Sequence, residues 1–363
     1  MARALELARK GIAFAHPNPM VGAVVVKNGR AVGEGFHNYA DPRHAEIIAL
    51  EKAAAAGAAR GATLYVNLEP CCHTGRTGPC TEAIIAAGIR KVVVAMTDPN
   101  LKVSGKGIAR LRHAGVTVEL GAHEAEARRL NEAFALWIRT RRPLVTLKAG
   151  MTLDGRVASP QKSEKWITGA TAREEVQKMR HASDAVVTGI DTVLRDDPLL
   201  TDRSRLARRR PLLRVVLDSS LRLPLTSNLA RSASADLLVF THHPGDSRKA
   251  HKLEKAGIKV TVLPGPGKFL PLDKVFEELG KLEVLSVMIE AGPTLIEAAL
   301  RAGAVDKVML FVAPRFLGGQ ALPILRGGFP SLAAAPALRD IQLHRFGADF
   351  AVEGYLRDVY RNR

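Results

Sequence analysis

The chain has 363 residues, 47 % of them hydrophobic, and a formal net charge of +17. This length and apolar content predict two domains with separate cores. The lack of a long apolar run or a signal-peptide pattern predicts a cytoplasmic protein without a membrane partner. The basic residues are divided between both halves, which favours a solvated surface and a phosphate-bearing small-molecule substrate over a nucleic-acid partner. The three cysteines fit a reducing compartment.

The first half alternates predicted helices and strands. A short charged helix at the N-terminus is followed by two strands that meet at Asn28-Gly29, a dipeptide that strongly favours a hairpin turn. The remaining predicted elements are a helix from His44, a strand over 64–68, a helix after Cys80, a strand over 91–96, a helix over 108–114, a strand over 116–120 and one long helix over 123–141. This order predicts a three-layer α/β/α sandwich.

Four residues of this half form a candidate zinc site. His44-Ala45-Glu46 begins the second helix, Cys71 follows a strand that ends at Glu69-Pro70, and Cys80 precedes the next helix. One imidazole and two thiolates leave a fourth position for water, as in catalytic zinc sites, and zinc lowers the pKa of that water toward neutrality. Glu46 is then free to shuttle protons, as in zinc-dependent base deaminases. The eight residues between Cys71 and Cys80 replace the usual C-x-x-C spacing.

Two other interpretations of these residues stay open at this point. An isolated histidine or cysteine most often packs in a core, although several ligand types, each at the end of an element, favour a metal. A closed structural zinc site needs a fourth protein ligand, and Cys72 and His73 are the nearest candidates.

The segment Arg141-Arg142-Pro143 is predicted to divide the chain into domains 1–142 and 143–363. Strands are predicted in the second half over 144–149, 185–187, 213–217, 236–240, 258–263, 285–290 and 307–312. Helices are predicted between them, so this half is also α/β.

Several features of the second half have a chemical and a structural interpretation. The strand, glycine turn and helix start around Gly292 can hold a phosphate on backbone N–H groups. Asp196 and Arg203 lie in a predicted loop, where a capped, solvated turn is the structural interpretation. Trp166 is interpreted as core packing just before a helix capped at Thr171. No G-x-G-x-x-G follows the first strand, so a Rossmann fingerprint is not supported.

The motifs of both halves together resemble the bifunctional deaminase/reductase family of riboflavin biosynthesis. The matching motifs of the first half are Pro17-Asn18-Pro19-Met20-Val21-Gly22, Gly33-Glu34-Gly35-Phe36-His37, His44-Ala45-Glu46, Glu69-Pro70-Cys71, Gly75-Arg76-Thr77 and Asp98-Pro99-Asn100. Those of the second half are Leu153-Asp154-Gly155, Trp166-Ile167-Thr168-Gly169, Thr192-Val193-Leu194, Asp196-Asp197-Pro198 and Glu290-Ala291-Gly292. They keep the family's order and cover nearly the whole chain.

The resemblance implies a cytidine-deaminase-like three-layer sandwich fused to a dihydrofolate-reductase-like α/β domain. The second fold accounts for the missing Rossmann glycines. The implied reactions are zinc-dependent hydrolytic deamination of 2,5-diamino-6-ribosylamino-4(3H)-pyrimidinone 5-phosphate and NADPH-dependent reduction of the product's ribosyl chain to ribityl.

The resemblance also implies roles for individual residues. It assigns zinc to His44, Cys71 and Cys80, proton transfer to Glu46, and pyrimidine contacts to Asn18 and His37. It assigns NADPH contacts to Gly150, Trp166, Thr192, Asp196, Ser219, Gly292, Pro293 and Thr294, and reductase substrate contacts to Glu164, Arg180, Leu200, Arg203 and Glu290. The two arginines suit a phosphate, because guanidinium forks bind phosphate well.

The chain departs from the family pattern at two places. Asp41-Pro42-Arg43 replaces the Gly-Glu-Pro that usually precedes the zinc histidine, and Glu164 stands where a substrate-contacting serine is usual. A carboxylate near a phosphate repels it unless a base pairs with it. Lys162 or Lys165 is available for that pairing, or Ser163 takes the serine's place by a shift of one residue.

Two further classes of function stay open. A nucleic-acid-editing zinc deaminase with a C-terminal binding domain is suggested by the charge and the His-Ala-Glu motif, but an aromatic content of 5 % argues against it. A non-enzymatic, zinc-stabilised binding module requires four protein ligands on the metal. For any of these functions we expect a homo-oligomer.

Overall fold

The structure is a computed structural model that describes residues 1–75, 78–161, 166–242, 247–265 and 267–361. The chain divides into two compact units, Met1–Arg141 and Arg142–Arg363. Within the described residues, no helix is both long enough and apolar enough to cross a membrane.

The first unit is built on a five-stranded sheet. Its elements are α1 Ala2–Arg9, β1 Gly22–Lys27, β2 Arg30–Phe36, α2 Ala45–Ala55, β3 Thr63–Val66, α3 Cys80–Ala86, β4 Lys91–Val94, α4 Lys106–His113, β5 Thr117–Leu120, α5 Glu124–Leu130 and α6 Glu132–Thr140. The strand order is β2-β1-β3-β4-β5, with β1 antiparallel to both neighbours and the other pairs parallel. Asn28 and Gly29 have positive φ angles, so the predicted hairpin turn is confirmed.

Glycines at the sheet surface let two helices lie against opposite faces of the first sheet. Gly22 of β1 faces the backbone of Ala4 in α1, whereas Gly35 of β2 faces the backbone of Ala45 at the start of α2. Gly22 and Gly35 belong to adjacent cross-strand pairs, and adjacent residues of a strand point to opposite faces. The sheet is therefore covered on both sides, as a three-layer arrangement requires.

The single long helix predicted over 123–141 is wrong, because the structure has α5 and α6 with Asn131 between them. Asn131 is buried, and its carboxamide accepts a hydrogen bond from Met20 N (2.8 Å) and donates one to Met20 O (3.0 Å). This contact with a residue far away in the sequence breaks a helix that the local pattern favours.

The second unit is built on a nine-stranded sheet. Its elements are β6 Leu144–Thr152, β7 Arg156–Ala158, α7 Ala170–Ala182, β8 Ala185–Gly189, α8 Ile190–Asp196, β9 Leu213–Leu217, α9 Asn228–Arg231, β10 Leu237–Thr241, α10 Arg248–Lys255, β11 Lys259–Val262, α11 Leu272–Lys281, β12 Ser286–Glu290, α12 Pro293–Arg301, β13 Lys307–Ala313, β14 Leu322–Pro323, β15 Arg339–Phe346 and β16 Asp349–Tyr355. The strand order is β11-β10-β9-β8-β12-β6-β13-β16-β15, parallel as far as β13 and antiparallel at the last two strands.

Alternate residues of the parallel strands pack into two separate cores. Val187 and Ile289 lie in one cluster, and Val186 and Met288 lie in the other. Both faces of this sheet are therefore covered, and its carboxyl-end edge is where side chains can meet a ligand.

Candidate zinc and reductase sites

The start of α2 presents two of the predicted site residues. His44 is the N-cap of the helix, and Glu46 lies in its first turn. A Cβ atom built on Gly35 would lie 2.9 Å from the Ile48 Cβ and closer still to the Ala45 carbonyl oxygen. Only glycine therefore allows α2 to approach β2 so closely, and this approach sets the position of His44 and Glu46.

The two cysteines are placed by the ends of β3 and α3. Glu69, just after β3, accepts hydrogen bonds from the backbone N–H groups of Asp98 (3.1 Å), Gly105 (2.9 Å) and Ile108 (3.1 Å). Cys80 begins α3, and its backbone N–H donates to the Cys71 sulfur at 3.3 Å. The Glu69 bonds fix the backbone just before Cys71, and the Cys80 N–H bond brings the start of α3 against the Cys71 sulfur.

His44, Cys71 and Cys80 form a metal-binding geometry, since their ligand atoms all lie within 4.8 Å of one another. The Nδ1 of His44 is 3.2 Å from the Cys80 Sγ and 3.5 Å from the Cys71 Sγ. Zinc bonds to nitrogen and sulfur imply ligand–ligand separations of about 3.3–3.8 Å in a tetrahedron. Within the described residues, neither Cys72 nor His73 joins this group, so the three-ligand interpretation fits and the closed four-ligand interpretation does not.

The electrostatics of the cluster also suit a cation. The hydrogen bond from the Cys80 thiol is the main influence that lowers the pKa of Cys71, to about 4, and the same contact raises the pKa of Cys80. The pair thus carries one negative charge readily, and a divalent cation favours the second thiolate as well. Burial raises the pKa of Glu46 to about 7, which places this carboxyl group in the range useful for proton transfer near neutral pH.

The predicted pyrimidine-contacting residues lie next to this cluster. The Asn18 Nδ2 is 3.0 Å from the His37 Nε2, and the His37 ring packs edge-to-face on His44 with 5.6 Å between centroids. Asn18 and His37 are thus brought together with a zinc ligand. Arg76 and Thr77 of the adjacent loop lie outside the described residues.

Most of the predicted NADPH residues lie in the segments that follow parallel strands of the second unit, and Gly150 lies within β6. Gly292 caps α12 after β12, and its N–H donates to the Thr192 Oγ1 at 3.2 Å, so the segments after β8 and β12 are in contact. The other predicted residues occupy β6 (Gly150), the end of α8 (Asp196), the segment after β9 (Ser219) and the first turn of α12 (Pro293 and Thr294). The Gly292 N–H is occupied and Pro293 has no N–H, but no side chain caps α12, so the N–H groups of Thr294 and Leu295 suit a cofactor phosphate.

Three interpretations in this unit are corrected. The core-packing interpretation of Trp166 is wrong, because the side chain is 64 % exposed, with the Arg173 guanidinium 5.0 Å from its ring centroid. The helix after it is capped by Gly169 rather than Thr171. Asp196 is not a loop residue but ends α8. The exposure of Trp166 leaves its ring free to contact a ligand.

Arg180 and Glu290, both predicted to contact the substrate, are adjacent, and the Arg180 guanidinium is occupied by Glu290. Its Nε and Nη2 donate to the two Glu290 carboxylate oxygens at 2.6 and 3.0 Å. Burial acts to raise the pKa of Glu290, but Lys148 and Arg180 outweigh burial and lower this pKa to about 2. Arg180 and Arg203 were both expected to bind the substrate phosphate. In the structure, Arg180 instead binds the Glu290 carboxylate.

Lys148 is a candidate site residue that no sequence motif indicated, and its Nζ lies 3.5 Å from a carboxylate oxygen of Glu290. Lys148 lies on β6 beside Glu290 on β12. The sequence offered one signal, a lysine within a mostly apolar predicted strand. A cation at such a position needs a hydrogen-bonding or anionic partner, so it indicates a nearby carboxylate.

The remaining predicted substrate residues have different exposures. The Leu200 side chain is buried in the core, so only its backbone can contact a substrate, whereas Arg203 is exposed. Glu164, with Lys162, Ser163 and Lys165, lies outside the described residues, and its effect on substrate contact stays a prediction.

Comparisons with protein families match both units. Residues 1–96 match the family model for the cytidine and deoxycytidylate deaminase zinc-binding region, and residues 143–352 match that for the RibD C-terminal domain. Riboflavin biosynthesis protein RibD of Aquifex aeolicus is 42 % identical, with 97 % of this chain and 96 % of the relative covered. RibD of Synechocystis is 45 % identical (98 % and 95 %), and RibD of Escherichia coli is 40 % identical (96 % and 96 %).

Comparisons with solved structures cover the full chain. RibD of Acinetobacter baumannii superposes with a TM-score of 0.86 at 38 % identity, with 98 % of this chain and 97 % of that one covered. The diaminohydroxyphosphoribosylaminopyrimidine deaminase/5-amino-6-(5-phosphoribosylamino)uracil reductase of Thermotoga maritima superposes with a TM-score of 0.85 at 35 % identity and the same coverage. These comparisons confirm the expected fold class in both units.

Proposed function

The chain belongs to the RibD family of riboflavin biosynthesis proteins, and from that premise we propose how its own residues divide the work. It is a bifunctional enzyme with a zinc-dependent pyrimidine deaminase and an NADPH-dependent reductase. It deaminates 2,5-diamino-6-ribosylamino-4(3H)-pyrimidinone 5-phosphate and then reduces the ribosyl chain of the product to ribityl. A nucleic-acid-editing function is not favoured, because the second half matches a reductase family.

For the deaminase, we infer that His44, Cys71 and Cys80 hold zinc, as their close ligand atoms support. When bound, zinc supplies a water activated for attack on the carbon that carries the amino group. Glu46 would move the two protons of that water in turn, one to the ring nitrogen and one to the departing amine, a role that a buried carboxyl with a pKa of about 7 suits. Asn18 and His37 orient the pyrimidine beside His44.

For the reductase, the N-terminus of α12 at Gly292 holds the cofactor phosphates, and Trp166 covers part of the cofactor. NADPH supplies the hydride. Glu290, held by Arg180, binds the ribosyl chain, and the Lys148 Nζ provides the proton that accompanies the hydride. Of the two predicted arginines, Arg203 binds the substrate phosphate, because the guanidinium of Arg180 is occupied by Glu290.

The experiment that tests this division is a coupled assay on the pyrimidine phosphate, with and without NADPH, in the wild type and the Glu46→Gln variant. Glu46→Gln should abolish ammonia release, because the amide cannot carry the proton, and should leave reduction of pre-deaminated substrate unchanged. Full deaminase activity in this variant would show that Glu46 is not the proton shuttle.

We also propose a homo-oligomer that pairs along β15. This strand ends the nine-stranded sheet, and Ile341 and Leu343 on one of its faces are 58 % and 73 % exposed. Leu343→Glu should reduce the mass measured by sedimentation, while Leu332→Glu, at a site that is 96 % exposed, serves as the control. A mass unchanged by Leu343→Glu would rule out this surface.

A cytoplasmic location is proposed from the three free cysteines, Cys71, Cys72 and Cys80. Two of them are zinc ligands in this proposal and need to stay reduced to bind the metal.

A further inference from the structure

The loop that carries Leu200 and Arg203, residues 199–204, is held at nearly every residue by hydrogen bonds, several of them from buried side chains. The Leu199 carbonyl accepts a hydrogen bond from the Arg214 Nη1 (3.1 Å), and the Thr201 carbonyl accepts one from the Arg180 Nη1 (2.9 Å). The Arg203 N–H donates to the Gln177 Oε1 at 2.8 Å. The loop backbone is therefore held from α7 and from β9.

Asp202 is the centre of a second set of contacts on the same loop. Its Oδ1 accepts the Ser204 N–H at 2.9 Å, while its Oδ2 lies 3.0 Å from the His181 Nδ1 and 3.3 Å from the Arg208 Nη1. The side chains of His181 and Asp202 are 7 % and 8 % exposed. A carboxylate only accepts hydrogen bonds, so the proton of His181 lies on Nδ1 in this pair.

The loop also holds a strained residue. Leu200 has a φ of +53°, a left-handed conformation that costs a branched side chain energy, and its side chain is buried. Such a conformation persists where surrounding contacts over-determine it, and it is typical of functional sites. In contrast, the Arg203 side chain is exposed and, within the described residues, has no carboxylate partner. A rigid backbone thus presents an unpaired guanidinium.

We propose that His181, Asp202 and Arg208 are positioning residues that hold the 199–204 loop so that Arg203 meets the substrate phosphate. This inference rests on the proposed function, because Arg203 has this role only if the reductase site takes a phosphate-bearing substrate. None of the three touches the substrate in this arrangement. They raise affinity by keeping Arg203 in place before the substrate arrives.

The first test measures reductase kinetics of the full chain with NADPH and pre-deaminated pyrimidine phosphate. Arg203→Ala should raise KM for the pyrimidine phosphate about tenfold or more, the usual size of a lost charge-assisted hydrogen bond. Asp202→Asn should raise the same KM about fivefold, with kcat and the KM for NADPH changed less than about twofold. In the Arg203→Ala background, Asp202→Asn should add almost nothing, since the two act as one unit.

Two controls separate positioning from general destabilisation. Asp306→Asn removes another buried carboxylate of the same unit, one paired with Arg142 and Arg357. It should lower the thermal unfolding midpoint as Asp202→Asn does, yet leave KM unchanged. His181→Ala should raise KM, and His181→Asn should restore it, because the Asn amide can donate to Asp202 from nearly the same place as Nδ1.

The outcomes distinguish the phosphate-binding role of Arg203 from the positioning role of His181, Asp202 and Arg208. An Arg203→Ala variant with wild-type KM would overturn the proposed role of Arg203 and the positioning role with it. A raised KM in Arg203→Ala, together with a wild-type KM in Asp202→Asn, would overturn the positioning role alone. Additive effects in the double variant, or an equal KM increase in Asp306→Asn, would also overturn it.

Discussion

Gly35→Ala tests whether the approach of α2 to β2 sets the deaminase geometry. The added Cβ would lie 2.9 Å from the Ile48 Cβ and 3.0 Å from the Ala49 nitrogen. Carbon atoms in good contact are about 3.5–4.0 Å apart, so the helix start has to move by at least half an ångström, roughly. That overlap costs about 1–3 kcal/mol of stability. A displacement of about 1 Å at a catalytic group can reduce turnover about 100-fold.

The assay compares ammonia release, zinc per chain and reduction of pre-deaminated substrate. Gly35→Ala should lose most deaminase activity and keep the reductase activity. Gly29→Ala is the matched control on the same hairpin: its φ of +75° makes alanine strained, but nothing lies within 4 Å of the new Cβ. It should lose about 1–2 kcal/mol of stability without losing turnover. Wild-type deaminase kcat and zinc content in Gly35→Ala would show that the approach of α2 to β2 does not set the position of His44 and Glu46.

Two further predictions concern the metal and pH. Cys80→Ser should lose zinc and deaminase activity, because a hydroxyl replaces a thiolate ligand. Cys72→Ser, outside the cluster, should keep both. Metal analysis and ammonia release measure this, and full zinc content in Cys80→Ser would contradict the ligand assignment. The pKa of Glu290 is lowered from 4.5 to about 2, so its ion pairs with Lys148 and Arg180 stabilise the second unit fully above pH 4.5 and lose that contribution as the pH falls toward 2. The loss in unfolding free energy should be on the order of 3 kcal/mol. Denaturant unfolding of the wild type and Glu290→Gln measures this loss. If the difference between the two proteins does not shrink as the pH falls over this range, the ion-pair explanation is wrong.

Much of the fold was predictable from local patterns. The Asn28-Gly29 turn and most strands of both sheets follow from turn chemistry and apolar runs, and residue type at the ends of elements indicates His44, Cys71 and Cys80 as candidate ligands. The turn and the apolar strands depend on neighbours within a few residues, whereas the approach of His44 to Cys71 and Cys80, 27 and 36 positions away, depends on the fold. The amino-acid sequence therefore indicates these local features without knowledge of the tertiary structure.

Other features depend on residues that are distant in the sequence, and these required the three-dimensional fold. Asn131 breaks a helix because it binds Met20, and Trp166 is exposed although it is large and apolar. The Arg180 fork is occupied because Glu290, 110 positions away, lies at the end of a neighbouring strand. Composition and spacing show which residues can bind phosphate, carboxylate or metal. Which of these partners each one meets depends on the strand order, because that order determines the side chains that lie within hydrogen-bonding distance.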